Sequence, residues 1–266
     1  MTPYFAQDGV TLYHGDNVQA MREAIPDASI DLVVTSPPYD NLRSYGGHTW
    51  DFEGLAAELW RTIKPGGVVV WVVNDATIDG SETGTSFRQA LHFREIGFRL
   101  HDTMIWNKGG FTAVGSLQIR YAPVFEFMFV FSKGQPSVFN PIRDKAILNT
   151  DTRAFRTIRQ KDGTTKQLPH TPSPTFAGAF GIRYNVWDMP NPGISGNQHP
   201  ATFPESLARD HILSWSNEGD TVLDPFSGSG TTIKMARLMG RKGIGIEIHQ
   251  EYCDIAVERL RQKLLF

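Results

Sequence analysis

The chain of 266 residues contains a single cysteine, Cys253, which excludes an internal disulfide and a cysteine-based zinc cluster. The eight histidines form no H-x-H or H-x-x-x-H pair, so the sequence predicts no metal site. No apolar run approaches the roughly 20 residues that a membrane span needs. Residues 1–5 lack the basic start and apolar run of a signal peptide. The cytoplasm is therefore the expected location.

An excess of charge of one sign is also lacking, because the formal net charge is only −2. Such a balance gives no general attraction for nucleic acid, so any DNA contact must be local. Hydrophobic residues make up 40% and charged residues 20% of the chain, as in folded globular proteins and unlike disordered ones. The length predicts one large α/β domain, or one such domain with a long insertion.

The stretch 30–39, IDLVVTSPPY, joins a predicted buried strand to a rigid turn. Pro37 and Pro38 cannot donate to a sheet ladder, so the strand stops before them. The prolines also restrict the backbone, which should hold the carbonyls of Ser36 and Pro37 outward beside the ring of Tyr39. Such a platform suits a flat hydrogen-bond donor, for example the exocyclic amine of a nucleobase. An ordinary surface turn is the alternative from these residues alone.

The stretch 221–232, TVLDPFSGSGTT, is the second motif. A predicted strand ends at Asp224, and the glycines at 228 and 230 let the backbone approach a ligand closely before a helix begins. The next predicted strand ends in Glu247, which is placed to accept hydrogen bonds from ribose hydroxyls. The absence of a lysine after the glycines argues against a phosphate-binding loop. This half is therefore predicted to bind an adenosine-like cofactor.

Strand and helix patterns alternate along the rest of the chain. With the strands that end at Ser36 and at Asp224, further apolar runs bring the predicted total to seven: 10–14, 68–73, 101–106, 125–131 and 243–247. The run at 125–131 is expected to pair antiparallel with its predecessor, because the link between them shows no helical period. Asp16 follows the first strand at a carboxyl end, where ligands of open α/β sheets collect, although capping the next helix is the simpler role.

Residues 132–196 lose this periodicity and are rich in proline, glycine, threonine and asparagine. From 143 to 183 there are eight basic and three acidic residues, a local charge of +5, with aromatic residues between them. This composition predicts phosphate and groove contacts with DNA, and a solvated loop is the alternative. The basic residues expected at the DNA are Arg143, Lys145, Arg153, Arg156, Arg159, Lys161, Lys166 and Arg183.

The two motifs together, TSPPY at 35–39 and DPFSGSGTT at 224–232, resemble those of the DNA amino-methyltransferases. The resemblance is to the β arrangement, in which the catalytic half precedes the cofactor half. Four shorter stretches also fall in the family's order, namely GDN around Asp16, the KPGG turn from Lys64, HPATFP from His199 and GIGIE ending at Glu247.

This resemblance implies a Rossmann-like α/β fold with a seven-stranded, mostly parallel sheet, one antiparallel strand and helices on both faces. It also implies an irregular target-recognition insertion. The expected division is a catalytic half over 1–134, the insertion over 135–196 and an S-adenosylmethionine-binding half over 197–266.

The family's activity would make the chain an S-adenosylmethionine-dependent methyltransferase that flips a base out of duplex DNA. The catalytic residues implied are Ser36, Pro37, Pro38 and Tyr39, with the base stacked on Tyr39 and its amine donating to the Ser36 hydroxyl and the Pro37 carbonyl. The cofactor-binding residues implied are Asp16, Thr202, Phe203, Asp224, Pro225, Phe226, Gly228, Gly230, Thr231 and Glu247.

The base that receives the methyl group is open between adenine and cytosine. In the family, Asp in the first position of the PPY motif goes with adenine N6 and Ser with cytosine N4, and this chain has Ser36. A hydroxyl can accept from either amine, and adenine methylation is the commoner activity. Adenine N6 is therefore narrowly favoured, and cytosine N4 is the alternative.

Other classes of protein explain less of the sequence. A nicotinamide-dependent reductase would use the glycine turn but not TSPPY, and a non-catalytic DNA-binding module would need no cofactor half. Methylation of RNA or of protein glutamine is a nearer alternative, against which the basic insertion favours duplex DNA. The expected partner is double-stranded DNA, near the nucleoid, and both a homodimer and a separate restriction endonuclease of a restriction-modification pair stay open.

Overall fold

The computed structural model describes residues 1–38, 50–110, 119–146, 157–167, 180–190 and 203–262. It divides into two compact units, one formed by Met1–Asn140 with Asn185–Phe266 and the other by Pro141–Tyr184. The first unit contains the large sheet and its helices. Tyr39 and Thr202, and Arg153 and Arg156 of the second unit, lie outside the described residues.

The strands of the described residues are β1 (Phe5–Gln7), β2 (Val10–His14), β3 (Ile30–Thr35), β4 (Ile63–Val73), β5 (Thr77–Ile78), β6 (Ser81–Glu82), β7 (Arg99–Asn107), β8 (Phe125–Ser132), β9 (Arg143–Ala146), β10 (Thr157–Arg159), β11 (Thr165–Gln167), β12 (Phe180–Ile182), β13 (Val186–Asp188), β14 (Thr221–Asp224) and β15 (Lys242–Glu247). The helices are α1 (Asn17–Ala24), α2 (Phe52–Thr62), α3 (Thr85–Glu95), α4 (Glu205–Trp215), α5 (Thr231–Leu238) and α6 (Gln250–Arg261).

Nine strands form one sheet in the order β1-β2-β15-β14-β3-β4-β8-β7-β13. β8 runs antiparallel between β4 and β7, β1 runs antiparallel to β2, and the other pairs in the sheet are parallel. The α/β class, the mostly parallel sheet and the antiparallel pairing of the 125–131 strand are thereby confirmed. All seven predicted strands are present, and the short strands β1 and β13 extend the two edges.

Apolar side chains on both faces of the central strands explain why helices cover the sheet on both sides. In β4, Val69, Trp71 and Val73 belong to a core shared with α1, α2 and α3, whereas alternate residues belong to a second core shared with α4 and α5. A strand buried on both faces reads as a continuous apolar run, which is what the sequence shows at 68–73.

The KPGG residues, predicted as a turn, are part of β4, which begins at Ile63. The Gly66 N–H donates to the Lys133 carbonyl (2.6 Å), and the Lys133 N–H donates back to Gly67 (3.0 Å). This pairing extends the strand through the glycines because Lys133 directly follows β8. The positive φ of Gly66 (+83°) accommodates the local kink.

The parallel strands β2, β15, β14, β3 and β4 all present their carboxyl ends at one edge of the sheet. Ligands of open α/β sheets bind in the crevice outside that edge. Asp224 and Glu247 end two of these strands, Ser36 directly follows a third, and Asp16 lies two residues after the end of a fourth. The topology therefore places the residues of both sequence motifs on the same edge.

The second unit contains two small antiparallel pairs, β9 with β12 and β10 with β11. Its β10–β11 hairpin is exposed to solvent along both strands. In the described residues of the whole chain, no helix is both long enough and apolar enough to cross a membrane.

Candidate active site

A buried hydrogen bond joins the two sequence motifs. Thr35, the last residue of β3, donates from its hydroxyl to Oδ1 of Asp224, the last residue of β14, over 2.7 Å. Both side chains are almost inaccessible, at 0% and 2% exposure. Ser36 and Pro225 follow these two residues directly. The acceptor platform and the cofactor loop therefore begin from strand ends that touch.

Burial dominates the electrostatics of Asp224 and raises its pKa to about 6. Hydrogen bonds from Thr35, from Thr232 and from the backbone N–H of Phe226 partly oppose this increase, whereas the negative charge of Glu247 adds to it. A buried carboxylate with few compensating charges favours a cationic ligand beside it. Asp224 is therefore suited to the positively charged end of a cofactor.

Glu247 is bound to the glycine turn as well as being placed for a ligand. Its Oε2 accepts the N–H of Gly228 and its Oε1 accepts the N–H of His249, both over 2.8 Å. Burial raises the pKa of this carboxyl, and the two N–H groups oppose the increase. A carboxylate has about four acceptor positions, so ribose hydroxyls can still be accepted. A groove of about 330 Å³ lined by residues 248–252 adjoins it.

Two buried polar atoms, one in the glycine turn after β14 and one beside it, have no hydrogen-bond partner among the described residues. They are Oδ1 of Asn17 and Oγ of Ser227, and the side chains are 7% and 5% exposed. The amide of Asn17 donates to the Pro225 carbonyl (3.3 Å), so the start of α1 is tied to the same turn. Unsatisfied buried groups beside close-packed glycines fit a polar ligand such as S-adenosylmethionine.

The acceptor platform itself is compact. Ser36 and Pro38 are half-buried and Pro37 is buried. Trp50 packs edge-to-face on Phe226 with ring centroids 5.0 Å apart, so aromatic rings connect this region to the glycine turn. A groove of about 570 Å³ opens beside the platform and is lined by Pro38, Trp50, Phe52, Glu53, Thr85, Arg88, Gln89, Leu91, His92 and Glu95.

The remaining predicted cofactor residues lie in different environments. Asp16 is the N-cap of α1 and accepts the Gln19 N–H over 2.8 Å, which is the simpler role that the sequence left open. Phe203 is half-buried and packs against the core shared with α4 and α5. Pro225 is buried in the glycine turn, and Thr231, the first residue of α5, is also buried.

Arg259 is a residue that the sequence did not single out. From α6 it donates to the Ser229 carbonyl (2.6 Å), to the Ser229 hydroxyl (2.8 Å) and to the Thr231 hydroxyl (3.1 Å). Its other guanidinium nitrogen bonds Glu205 of α4 (2.8 Å), which Lys234 also contacts (2.7 Å). These contacts link α6 to the glycine turn and to α4, and so stabilise the turn. An arginine beside the apolar face of a helix gives no sequence signal for such a role.

The basic residues of the second unit are mostly open to solvent. Arg143, Arg159, Lys161 and Lys166 are exposed. Lys145 lies over the ring of Tyr184, 3.7 Å from its centroid. Arg183 pairs with Asp144 over 2.6 Å. In the part of the chain that the structure describes, no group of histidine, cysteine or acidic side chains could hold a metal ion.

Replacing Gly230 with alanine should impair both folding and cofactor binding. Gly230 has a φ of +78°, and a Cβ there would meet the Cβ of Ala256 at 2.9 Å. We expect a loss of about 2–4 kcal/mol in the free energy of unfolding, from the backbone strain and the clash together. Urea unfolding and calorimetric titration with S-adenosylmethionine measure the two effects.

Gly219→Ala is the matched control, because Gly219 has a similar φ of +85° but open space around its Cβ position. It should lose only about 1 kcal/mol, the cost of the left-handed backbone, and bind cofactor normally. Equal losses in the two variants would show that the contact with Ala256 is unimportant.

A glycine turn and two buried acids at the carboxyl edge of a mostly parallel sheet define an α/β enzyme that binds a nucleoside-containing cofactor. Comparison with known proteins specifies which one. A family model described as DNA methylase, for N6 and N4 methyltransferases, matches residues 30–258. The chain belongs to this family, and it is an S-adenosylmethionine-dependent DNA methyltransferase.

Individual proteins are similar to the chain in sequence or in fold. The orphan methyltransferase M.BamHII of Bacillus amyloliquefaciens is 51% identical over 253 residues, which cover 92% of this chain and 94% of that protein. The solved PvuII DNA methyltransferase, named as cytosine-N4-specific, has the same fold, with a TM-score of 0.71 and 23% identity over 99% of this chain and 90% of that one. M1.HpyAVI, solved as a complex with S-adenosylmethionine, has a TM-score of 0.63 and 22% identity over 95% and 100% of the two chains.

Proposed function

We propose that this enzyme methylates the exocyclic amino nitrogen of a base flipped out of duplex DNA, and that the base is cytosine. The observation that carries the proposal is the hydrogen bond between Thr35 and Asp224, because it brings the acceptor platform and the cofactor turn together at adjacent strand ends. An amine on the platform then faces a ligand held by the turn.

The residues have separate tasks in this proposal. S-adenosylmethionine, when bound, supplies a methyl group activated by its sulfonium charge. Asp224 attracts the cationic part of the cofactor, and Glu247 accepts from its ribose hydroxyls. The Ser36 hydroxyl and the Pro37 carbonyl accept N–H bonds from the target amine, which keeps the lone pair of its nitrogen available and orients it. Tyr39 stacks on the base.

Position 36 decides the choice of base in this proposal. Adenine N6 rests on the frequency of that activity in the family, whereas the serine is a property of this chain and goes with cytosine N4 in the family's pattern. We give more weight to the serine at position 36 than to the frequency of adenine methylation in the family. The fold is compatible with this target, because the PvuII enzyme that shares the fold is named as specific for cytosine N4. Adenine N6 is the second candidate.

Labelling DNA with the methyl-tritiated cofactor tests both levels of the proposal. After incubation with mixed genomic DNA and digestion to nucleosides, chromatography should place the label in N4-methylcytosine. Label in N6-methyladenine would keep the reaction class and change the base. Label in RNA or in protein, with none in DNA, would contradict the proposal.

The division of the chain that the family resemblance implies is also part of the proposal. We assign residues 1–134 to the catalytic half, 135–196 to target recognition and 197–266 to cofactor binding. β13 lies within residues 135–196 and pairs with β7 in the large sheet, so the end of this segment belongs to the first unit. The basic residues of 143–183 contact DNA in this assignment, including Arg153 and Arg156.

The exposed β10–β11 hairpin is expected to contact phosphates. Replacing both Lys161 and Lys166 with alanine should weaken DNA binding for all sequences alike, because each lysine neutralises a phosphate whatever the base. The slope of log K against log salt should become shallower by about 0.9 for each phosphate that is no longer neutralised. Fluorescence anisotropy over a range of salt concentrations measures the slope.

The control for the hairpin is Lys242→Ala, because Lys242 is equally exposed but lies at the amino end of β15, opposite the ligand edge of the sheet. That variant should keep the original slope. A hairpin variant with an unchanged slope would mean that these lysines do not contact DNA.

The proposal also concerns two partners, a restriction endonuclease and a second copy of this chain. The 51% identical relative is named an orphan methyltransferase, which favours a solitary modification enzyme over one paired with a restriction endonuclease. A homodimer is the expected assembly from the family resemblance, and sedimentation velocity measures it. The cytoplasm, at the nucleoid, is the proposed location because the substrate is there.

A further inference from the structure

Neither the neighbouring sequence nor packing alone explains why residue 35 is a threonine. It lies in a run of buried β-branched and apolar residues, where valine would fill the same space. Its hydroxyl instead bonds Asp224 Oδ1, 189 residues away in the sequence. A buried hydroxyl is tolerated because it has this partner. The residue is therefore present for the hydrogen bond, not for the volume.

The oxygen that Thr35 contacts is also held by the N–H of Phe226, over 3.1 Å. Two donors on one oxygen fix the orientation of the carboxyl group about its side-chain torsion. Thr232, the nearby hydroxyl of α5, also bonds the Val34 carbonyl (3.1 Å). The start of α5 is thus tied to β3, and Thr35 is the side chain of β3 that bonds Asp224 and directly precedes Ser36.

We propose that Thr35 is a positioning residue. It holds the carboxyl group of Asp224 in a fixed position relative to Ser36, and so aligns bound cofactor with the target amine. This inference rests on the proposed function. Transfer of the methyl group from sulfur to nitrogen requires the sulfur, the methyl carbon and the nitrogen to lie in line. Misplacement by about 1 Å costs on the order of 100-fold in rate. Ser36 follows Thr35 in the chain and Asp224 accepts its hydrogen bond, so this single residue relates the two sides of the reaction.

Thr35→Val is the decisive variant, because it removes the hydroxyl and keeps the shape. We expect S-adenosylmethionine to bind about tenfold more weakly and kcat to fall by a further factor of about 10 to 100. Thr35→Ser, which restores the hydroxyl, should bind and react within about threefold of the unaltered enzyme. Binding is measured by calorimetry with the cofactor alone.

The second readout uses the cofactor-free protein and does not depend on activity. Losing a hydrogen bond to its charged form raises the pKa of Asp224 further, and Glu247 adds repulsion from the neighbouring strand end. In Thr35→Val, stability in urea should therefore go on falling to a pH about one unit higher than in the unaltered protein, so the pH midpoint of this fall also moves upward. Urea unfolding from about pH 4 to pH 8 measures it. Thr35→Ala gives the same test if the valine variant does not fold.

Thr62→Val is the matched control. Thr62 is also fully buried, and its hydroxyl bonds the Glu58 carbonyl within α2 (2.8 Å), away from both motifs. Its loss should affect stability only, with unchanged cofactor affinity and an unchanged pH midpoint. Equal behaviour of Thr35→Val and Thr62→Val would overturn the inference, and so would a Thr35→Ser variant as impaired as the valine.

The two levels fail separately. If the unaltered enzyme binds cofactor but labels no DNA, the proposed acceptor is wrong, and the shift of the pH midpoint still tests Thr35. If DNA is labelled but Thr35→Val shows the original midpoint and affinity, the positioning role is wrong and the proposed function stands.

Discussion

Replacing Ser36 with alanine is expected to lower kcat by about 100-fold to 1,000-fold, the usual loss on removing one polar group that acts on the reacting atoms. The platform would keep the Pro37 carbonyl but lose the hydroxyl acceptor for the target amine. Affinity for S-adenosylmethionine should change little, because Asp224 and Glu247 are untouched. Single-turnover methylation with a saturating cofactor concentration measures the rate, and calorimetry measures the affinity.

Ser29→Ala is the control for this experiment. Ser29 lies at the entrance of the same strand, and its hydroxyl bonds the Pro26 carbonyl (2.7 Å) in a turn away from the ligand edge. Its loss should leave kcat unchanged. A Ser36→Ala enzyme with the original rate would assign the amine to backbone acceptors alone.

Replacing Asp224 with asparagine should have opposite effects on stability and on binding. Burial raises the pKa of Asp224 to about 6 in the folded chain, above the ordinary value of an unfolded aspartate. Ionisation of Asp224 therefore destabilises the folded state. This loss of stability grows as the pH rises from the unfolded to the folded pKa of Asp224, and it is complete above about pH 6. Asparagine removes it, so the cofactor-free variant should gain about 3 kcal/mol at neutral pH and nothing near pH 4.

The same substitution removes the negative charge that attracts the cofactor. We expect S-adenosylmethionine to bind at least about 100-fold more weakly at neutral pH. In the unaltered enzyme, affinity should fall as the pH drops below about 6, because protonation has the same effect as the amide, and the variant should lack this dependence. Calorimetric titrations at several pH values and urea unfolding at the same values test both arms.

Asp220→Asn is the matched control, because Asp220 precedes the same strand at its opposite end and accepts the Asn217 N–H over 2.7 Å. It should show neither gain in stability at neutral pH nor loss of cofactor affinity. An Asp224→Asn variant that binds normally would remove Asp224 from the cofactor site.

The strands were predictable where burial on both faces leaves a continuous apolar run, as in β3, β4 and β8. β13 was not, because Val186, Trp187 and Asp188 show no period. Trp187 stacks on His211 of α4 with ring centroids 4.4 Å apart, and that distant packing partner is invisible in the local sequence. The KPGG residues were predicted as a turn because glycine and proline usually mark one, whereas pairing with the end of β8 extends the strand through them.

The site shows the same limit. Asp224, Glu247 and the glycines follow from local strand-and-turn patterns, so the sequence was sufficient to nominate them. Thr35 and Arg259 act through partners 189 and 30 residues away, and no periodicity relates such positions. Asn17 entered the sequence analysis only within the GDN stretch, although its side-chain amide oxygen is one of the buried atoms without a partner beside the glycine turn.

The pairing of β2 with β15 has a consequence for how the protein is made. His14 contacts the Ile248 carbonyl (3.1 Å) across 234 residues, and the Tyr4 hydroxyl bonds Asp254 across 250 (2.6 Å). On the ribosome, β2 emerges early and must wait for β15 before its edge is covered and Glu247 arrives. Contacts of such long range slow folding and leave strand edges open to aggregation meanwhile. Because Glu247 ends β15, cofactor binding as proposed here must wait until β15 has been synthesised and has paired with β2.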